Sequence, residues 1–314
     1  MVGRGTGVVP ILVGLVVSAL SLQANAADNC ASLDSEVSRL LQAMSSNAEQ
    51  IDYSGVVTLQ RGGDMQIMEL SHAVRNGRAT EEIARLTGQD ARVERSGHPT
   101  GCMHPGHQLL RSSELRGDSF CGLSASYRFR ISAGERVAGR EAVRLRAEPR
   151  DMYRFGYIFE LDRETALMLK SSTLSVDQRV LEEFQFASLS MQSKQSADAA
   201  VQHAAAHPHP HETAHLRAGP HWSVAWLPKG FMATDSAPSD SQRKSYTDGL
   251  ASFSVFLEPL STSIKPGEGV ERQGSTVAYT RGVLLQRKPV LVTVLGEIPT
   301  NTARMVADSV RLRR

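Results

Sequence analysis

The sequence predicts an α+β protein of two domains, the larger of which is built on an antiparallel sheet. The chain has 314 residues, 41% of them hydrophobic, which is enough for about two domains of ordinary size. Segments that alternate between apolar and polar residues follow one another across short turns, a pattern typical of an antiparallel sheet with one apolar face. A histidine-rich stretch at 193–220 interrupts this alternation, so residues 221–314 are predicted to form a second, smaller domain.

The first 26 residues have the three parts of a secretory signal peptide. Arg4 supplies a positive start, an apolar run at 8–22 follows, and Ala24-Asn25-Ala26 is an A-x-A cleavage pattern. The apolar run is shorter than the ~20 residues of a membrane-spanning helix, so we expect cleavage and export. The mature chain loses Arg4 and has a net charge of +1 instead of +2. A charge so close to zero argues against a nucleic-acid-binding protein.

Residues 27–192 are predicted to form the larger domain, which begins with a helix. Ser32 is placed to cap this helix, and its apolar face consists of Leu33, Val37, Leu40, Leu41 and Met44. Alternating strands follow, with turns at Gly62-Gly63-Asp64 and Asn76-Gly77. The stretch 79–86 is ambiguous, because its residues favour a helix locally while its neighbours indicate strands.

The second half of this domain has the stronger strand pattern. Apolar residues alternate with arginines at 127–131 and again at 143–147. The next strand places five apolar side chains on one face: Tyr153, Phe155, Tyr157, Phe159 and Leu161. Turns at 162–164 and 177–178 lead into two further strands. A single helix is small for covering the apolar face of such a sheet, so we expect its concave side to be partly open.

The smaller domain is predicted to be mixed α and β. Residues 226–231 indicate a tight, partly buried turn, and Asp248-Gly249 leads into a strand at 250–257. Further strands are expected around 277–279 and at 290–295. A closing helix follows Pro299, with Thr300 as its expected cap.

Three cysteines, Cys30, Cys102 and Cys121, leave three interpretations open. In an oxidising compartment, a disulfide between Cys102 and Cys121 would enclose 18 residues and stabilise the fold by about 3 kcal/mol. Free thiols are the second interpretation. The third is a zinc site that adds His104 and His107, although this ligand spacing is not that of a standard zinc finger.

The histidine-rich stretch is interpreted as a linker. It contains five histidines, and a sixth, His221, follows it directly. His207, His209 and His211 are weak candidates for metal ligands, because no apolar anchors fix their geometry. At mildly acidic pH the histidines would become charged, and we expect the two domains to move apart.

No catalytic residue, enzyme activity or cofactor is predicted. The sequence has no G-x-S-x-G, H-E-x-x-H, P-loop or G-x-G-x-x-G motif. Glu160, Asp162 and Glu164 are interpreted as a solvated strand end and turn. Glu182 and Glu183 point to opposite faces of one strand, so they do not form a catalytic pair.

Four arginines occupy polar positions on two strands that are expected to pair: Arg128, Arg130, Arg144 and Arg146. They form either an ordinary solvated face, interleaved with acidic residues, or a basic stripe for an acidic peptide or lipid phosphates. His72 is interpreted as a packed or surface histidine rather than a base.

Short motifs in both domains carry a family resemblance. The first domain contains VAGREA at 137–142, PRDMYRFGY at 149–157 and LEEFQF at 181–186. The second contains WLPKGF at 226–231, YTDGLASFSV at 246–255 and GEIP at 296–299. In this order and spacing the motifs resemble the MucB/RseB family of periplasmic stress-response regulators. The resemblance is weakest between Arg78 and Gly122 and does not include the histidine-rich stretch.

The resemblance implies a fold and a function. The larger domain would be similar to the lipoprotein carriers LolA and LolB, a half-open antiparallel β-barrel with helices in its mouth, and the smaller would be an α/β domain. The protein would be a periplasmic regulator that binds the periplasmic part of a transmembrane anti-sigma factor, protects it from proteolysis and keeps the sigma factor repressed. Lipid or lipopolysaccharide would release it. The alternatives are a periplasmic lipid or lipoprotein carrier and a metal-binding protein.

The expected site residues follow from this resemblance. Lipid contact is expected on the apolar face of the larger domain, at Tyr127, Phe129, Tyr153, Phe155, Tyr157 and Phe159. Partner contact is expected in the smaller domain, at Trp226, Phe231, Tyr246 and Phe253. The alternative interpretation of both sets is that they are ordinary core or turn residues. The oligomeric state is left open, and a homo-oligomer is compatible with the sequence.

Overall fold

The computed structural model describes residues 33–48, 50–75, 78–89, 91–96, 120–191, 222–234, 242–260 and 267–312. The predicted signal peptide, Cys30, Cys102 and the histidine-rich stretch lie outside these residues. The signal peptide, the disulfide, the linker and the metal-ligand candidates therefore stay predictions. No helix in the described ranges is long and apolar enough to cross a membrane.

The larger domain is a single open antiparallel sheet with helices on it. Its elements are α1 (Ser35–Ala48), β1 (Tyr53–Arg61), β2 (Asp64–Arg75), β3 (Arg78–Arg85), β4 (Arg92–Ser96), α2 (Phe120–Ser126), β5 (Tyr127–Ala133), β6 (Ala142–Pro149), β7 (Gly156–Asp162), β8 (Met168–Leu174) and β9 (Val180–Met191). In the described part of the chain the nine strands run in the order β4-β3-β2-β1-β9-β8-β7-β6-β5. The first strand, β1, pairs with the last, β9.

The ambiguous stretch 79–86 lies almost entirely in β3. Its local helical preference is overridden by pairing on both sides, with Ile83 opposite Leu70 of β2 and Val93 of β4. Strand preference depends on such cross-strand neighbours more than on the backbone alone.

Helix α1 packs its predicted apolar face onto the sheet. Val37, Leu41 and Met44 are buried in the core of the larger domain. The backbone amide of Glu36 donates to Asp34 Oδ1 at 2.8 Å, so Asp34 supplies the capping oxygen within the described residues. The cap proposed for Ser32 falls outside them.

Several apolar side chains that pack against the core of the larger domain are only partly buried. Tyr127, Tyr157 and Phe159 are buried at its centre. The partly buried apolar side chains packed around this centre include Leu33, Leu40, Met68, Ile83, Phe129 and Ile131. Together with the unclosed sheet, this confirms the predicted half-open architecture of the larger domain.

The smaller domain has its own sheet and core, as predicted. Its elements are β10 (Trp222–Val224), β11 (Met232–Ala233), β12 (Arg243–Thr247), β13 (Ser252–Pro259), β14 (Glu268–Gln273), β15 (Thr276–Leu285), β16 (Lys288–Gly296), α3 (Thr300–Asp308) and β17 (Val310–Leu312). Among the described residues, β11-β12-β13-β16-β15-β14 form one sheet, and β10 pairs with β17. Helix α3 buries Ala303 and Val306 against this sheet.

The cap predicted for α3 is wrong. The N-cap position is held by Pro299, and no side chain makes a capping hydrogen bond there. The amide of Ala303 donates to the Pro299 carbonyl at 3.0 Å, so the backbone closes the first turn.

The interpretation of Glu160 and Asp162 as a solvated strand end is also wrong. Their side chains are each 1% exposed, and both are ion-paired. Arg144 of the neighbouring strand β6 lies 2.5 Å from Glu160, and Arg140 pairs with both Asp162 and Glu164. Arginines from β6 and its preceding turn therefore neutralise carboxylates of β7 that the sheet buries.

Candidate functional site

The two domains meet through a buried ion pair between Arg154 and Asp248. Arg154 comes from the loop before β7, and Asp248 comes from the turn between β12 and β13. Their side chains are both 0% exposed, and Arg154 Nη1 lies 2.5 Å from Asp248 Oδ2. Arg154 Nη2 also donates to the Lys229 carbonyl at 2.5 Å and to Asp151 Oδ2 at 3.0 Å. One guanidinium thus joins three acceptors, two of them in the other domain.

Asp248 is held by donors from both domains. It accepts hydrogen bonds from the amides of Leu250 and Ala251, at 3.0 and 2.8 Å, inside its own turn. The hydroxyl of Tyr127 in the larger domain donates to Asp248 Oδ2 at 3.0 Å. Burial raises the pKa of Asp248, and Arg154 together with these donors works in the opposite direction. Burial and the nearby Asp248 raise the pKa of Tyr127 well above its ordinary value, so its hydroxyl remains a donor.

Aromatic rings surround the ion pair. The guanidinium of Arg154 lies 5.5 Å from the ring centre of Tyr127 and 5.2 Å from that of Phe231. Tyr153 of the larger domain meets Trp226 of the smaller one edge to face, with ring centres 5.3 Å apart. Because the side chains of Arg154 and Asp248 are fully buried, the ion pair acts in a low-dielectric setting.

A second polar contact joins the domains at Glu182. Glu182 of β9 pairs with Arg61 of β1 at 3.2 Å and accepts a hydrogen bond from Ser275 of the smaller domain at 2.9 Å. The turn that presents Ser275 contains Gly274, with φ +60°. The positive φ favours glycine here, and a Cβ on Gly274 would lie 2.9 Å from Glu182 Oε2 and 3.0 Å from Arg61 Cγ, so an alanine would have to displace these side chains.

The predicted lipid-contact residues divide into two groups. Tyr127, Phe129, Tyr157 and Phe159 form a connected ring cluster in the larger domain, with ring centres 5.8 to 6.2 Å apart. Phe155 is buried in the same core. Tyr153 does not join the cluster, because it faces Trp226 across the domain interface. Lipid contact by the cluster stays a prediction.

The predicted partner-contact residues also divide. Phe231, Tyr246 and Phe253 are buried together in the core of the smaller domain, with ring centres 5.1 to 5.3 Å apart. Trp226 is partly buried and lies at the domain interface. Partner contact at these four positions stays a prediction, and their locations allow a role in shaping the domain and its interface.

Sequence reasoning missed the charged pair at the centre of the interface. Arg154 and Asp248 both lie inside the motifs that carried the family resemblance, but neither was chosen as a site residue. The Thr247-Asp248-Gly249 turn carried no signal of burial, but Arg154 is a charged residue that lies between two aromatic residues, Tyr153 and Phe155. Such residues are seldom buried unless they are paired.

The strands carrying the four arginines pair as expected, with Arg130 opposite Arg146. Arg130 and Arg146 both lie near Glu148, at 3.6 and 3.1 Å, and Arg144 pairs with Glu160.

His72 is packed, with its ring stacked on that of Tyr53 and the ring centres 4.9 Å apart. No group of three or more potential metal ligands occurs within the described ranges.

Comparison with known proteins gives a consistent result for both domains. The family model of the MucB/RseB N-terminal domain matches residues 36–206, and that of the MucB/RseB C-terminal domain matches residues 217–311. The chain is 32% identical to the sigma factor AlgU regulatory protein MucB of Pseudomonas aeruginosa, over 93% of this chain and 94% of that protein. It is 28% identical to the sigma-E factor regulatory protein RseB of Salmonella typhimurium, over 95% of this chain and 96% of that protein.

Solved structures of MucB are similar to this chain as well. The crystal structure of MucB in complex with MucA(peri) matches with a TM-score of 0.68 and 31% identity, over 88% of this chain and 99% of that chain. The complex structure of Pseudomonas aeruginosa MucA/MucB matches with a TM-score of 0.69 and 30% identity, over 89% of this chain and 99% of that chain. The likeness therefore spans both domains.

Proposed function

The chain belongs to the MucB/RseB family, and from this we propose that it binds the periplasmic part of a membrane-spanning anti-sigma factor and so keeps an envelope-stress sigma factor repressed. The observation that carries the proposal is the match of both domains to MucB, which has been solved in complex with MucA(peri). We infer a periplasmic location, in keeping with the predicted signal peptide. The protein acts by binding, and no step of the proposed function requires a catalytic residue.

We further propose that the bound anti-sigma factor is protected from proteolysis and that lipid or lipopolysaccharide releases it. The partly covered apolar interior of the larger domain supports this, because an acyl chain needs an apolar surface of that kind. Release requires that lipid and anti-sigma factor favour different arrangements of the two domains. The buried ion pair at the interface makes such arrangements discrete, since a broken Arg154–Asp248 pair leaves buried charge without a partner.

The test is a binding assay between the mature protein and the periplasmic segment of its cognate anti-sigma factor, with and without purified lipopolysaccharide. We expect a complex without lipopolysaccharide and a weaker one with it. No complex in either condition would contradict the proposal. A protein that binds lipopolysaccharide yet never binds the anti-sigma segment would instead be a carrier.

A protease assay tests the protection step. The anti-sigma segment is digested by a site-one protease alone and with the bound protein. We expect slower cleavage in the complex, and restored cleavage when lipopolysaccharide is added. Equal cleavage rates with and without the protein would contradict protection while leaving binding intact.

A further inference from the structure

Tyr127 belongs both to the apolar core of the larger domain and to the interface with the smaller one. Its ring is 1% exposed and lies 6.2 Å from Phe129 and 6.1 Å from Tyr157. Its hydroxyl leaves this apolar cluster and donates to Asp248 Oδ2 at 3.0 Å. A displacement of the whole ring therefore moves the hydroxyl that donates to Asp248.

The ring of Tyr127 lies beside apolar side chains that are only partly buried. Phe129 and Ile131 lie on the same strand and face as Tyr127, and both are only partly buried. An acyl chain that contacts the partly buried ring of Phe129 therefore lies next to Tyr127, whose ring centre is 6.2 Å from that of Phe129. Hydrogen bonds weaken when the donor and acceptor separate beyond ~3.2 Å, so a small displacement of the ring is enough to weaken the bond to Asp248.

The other tyrosine of the cluster is not placed to do this. The Tyr157 hydroxyl is buried and has no hydrogen-bond partner within the described residues. The second polar contact between the domains, from Ser275 to Glu182, involves strand β9 and no ring of the cluster. Among the described contacts, Tyr127 is the one that links the ring cluster to the ion pair by a hydrogen bond.

We propose that Tyr127 is a positioning residue that couples entry of an acyl chain into the apolar interior to release of the smaller domain from the larger. The proposal rests on the proposed function and gives it a physical route. An acyl chain displaces the Tyr127 ring, and the hydroxyl withdraws from Asp248. Asp248 then loses one of the donors that offset its burial and keeps Arg154 and the two amides of its own turn, so the interface loosens. By linkage, a loosened interface also makes acyl-chain entry easier.

The fluorescence of a native tryptophan can report whether the two domains are docked. It has two tryptophans, Trp222 and Trp226, both in the smaller domain. Trp222 is 2% exposed in the core of that domain, whereas Trp226 contacts Tyr153 of the larger domain. Loosening of the interface exposes Trp226 to water and shifts its emission to longer wavelength, and Trp226→Phe identifies that contribution.

The experiment uses the full mature chain and 1-palmitoyl-lysophosphatidylglycerol below its micelle concentration, without any partner protein. Tryptophan emission is recorded during titration for wild type, Tyr127→Phe and the control Tyr53→Phe. The control removes a hydroxyl from the same domain, from a ring that stacks on His72. Circular dichroism checks that each variant is folded. Asp248→Asn tests the other end of the same hydrogen bond.

We expect wild type and Tyr53→Phe to give the same lipid-dependent red shift. Tyr127→Phe and Asp248→Asn already have loosened interfaces, so we expect a red-shifted starting emission and a lipid response reduced to less than about a third of wild type. A wild-type lipid response in Tyr127→Phe, or no response in wild type, overturns the coupling.

The binding assay of the proposed function then serves as an independent readout. Wild type is expected to lose roughly tenfold or more of its affinity for the anti-sigma segment when lipid is added, and Tyr127→Phe to lose little. If wild type does not bind the segment but the emission results are as expected, the proposed function fails and the coupling stands. If wild type binds and releases normally but Tyr127→Phe does the same, the coupling fails and the proposed function stands.

Discussion

Replacing Arg154 by Met should destabilise the protein more than replacing any exposed charged residue. The Met side chain fills part of the space but removes the donors to Asp248, Asp151 and the Lys229 carbonyl. Asp248, whose side chain is 0% exposed, is left buried without its cation. Breaking a buried ion pair on one side costs about 3–5 kcal/mol, a large part of the ~5–15 kcal/mol that stabilises a typical domain.

The assay is urea unfolding followed by two signals. Tryptophan fluorescence reports the smaller domain, which holds both tryptophans, and far-UV circular dichroism reports both domains. In wild type we expect the fluorescence and circular dichroism transitions to coincide. In Arg154→Met we expect them to separate, because the two domains then unfold independently. Arg154→Lys keeps the charge but cannot reach all three acceptors, so an intermediate loss is expected.

The matched control is Arg163→Met. Arg163 pairs with Glu141 at 3.0 Å, but the two side chains are 69% and 74% exposed. Such surface pairs contribute little to stability, so the urea midpoint should hardly change. The double variant Arg154→Met/Asp248→Asn should cost less than the sum of the two single changes. If Arg154→Met were no more destabilising than Arg163→Met, the ion pair would not hold the domains together.

Three further predictions concern a turn glycine, a buried carboxylate and the histidine-rich stretch. Gly274→Ala should lower the free energy of unfolding more than Gly62→Ala does, by about 1 kcal/mol or more. Both glycines have φ near +60°, but only a Cβ on Gly274 would meet Glu182. Equal urea midpoints for the two variants would refute the close approach. Burial acts to raise the pKa of Asp162, but Arg140 and Thr165 hold it below the ordinary value. Its stabilisation is therefore present above about pH 4 and lost as pH falls further, so Asp162→Asn should flatten the acid side of the stability profile. Small-angle scattering should show a larger radius at about pH 5 than at about pH 8 because the histidine-rich stretch becomes charged, and equal radii would contradict this.

Most of the sheet could be predicted from the sequence because its strands alternate strictly. Tyr157, Phe159 and Leu161 show this period, and the structure buries all three. The segment now assigned to β3 could not be settled, because the deciding contacts of Ile83 come from two other strands. Local residue preference does not contain that information.

The centre of the candidate site could not be predicted for a related reason. Arg154 and Asp248 are 94 positions apart in the chain, and no periodicity joins them. The burial of Glu160 was missed because it depends on Arg144 lying directly opposite in the sheet. The exposure of a charged residue in a sheet is decided by which strand lies beside it, and residue type alone does not reveal this.

The pairing of first and last strands has a consequence for how the chain folds. In the larger domain Tyr53 lies opposite Met191, and in the smaller Trp222 lies opposite Leu312. Each sheet thus needs contacts between residues that are almost a whole domain apart, and chains with such high contact order fold slowly. Until Met191 and Leu312 have been synthesised, β1 has β2 beside it but lacks β9, and β10 lacks its partner β17. A chain shortened before either position would expose an unpaired strand edge, which makes aggregation rather than partial function the expected result of truncation.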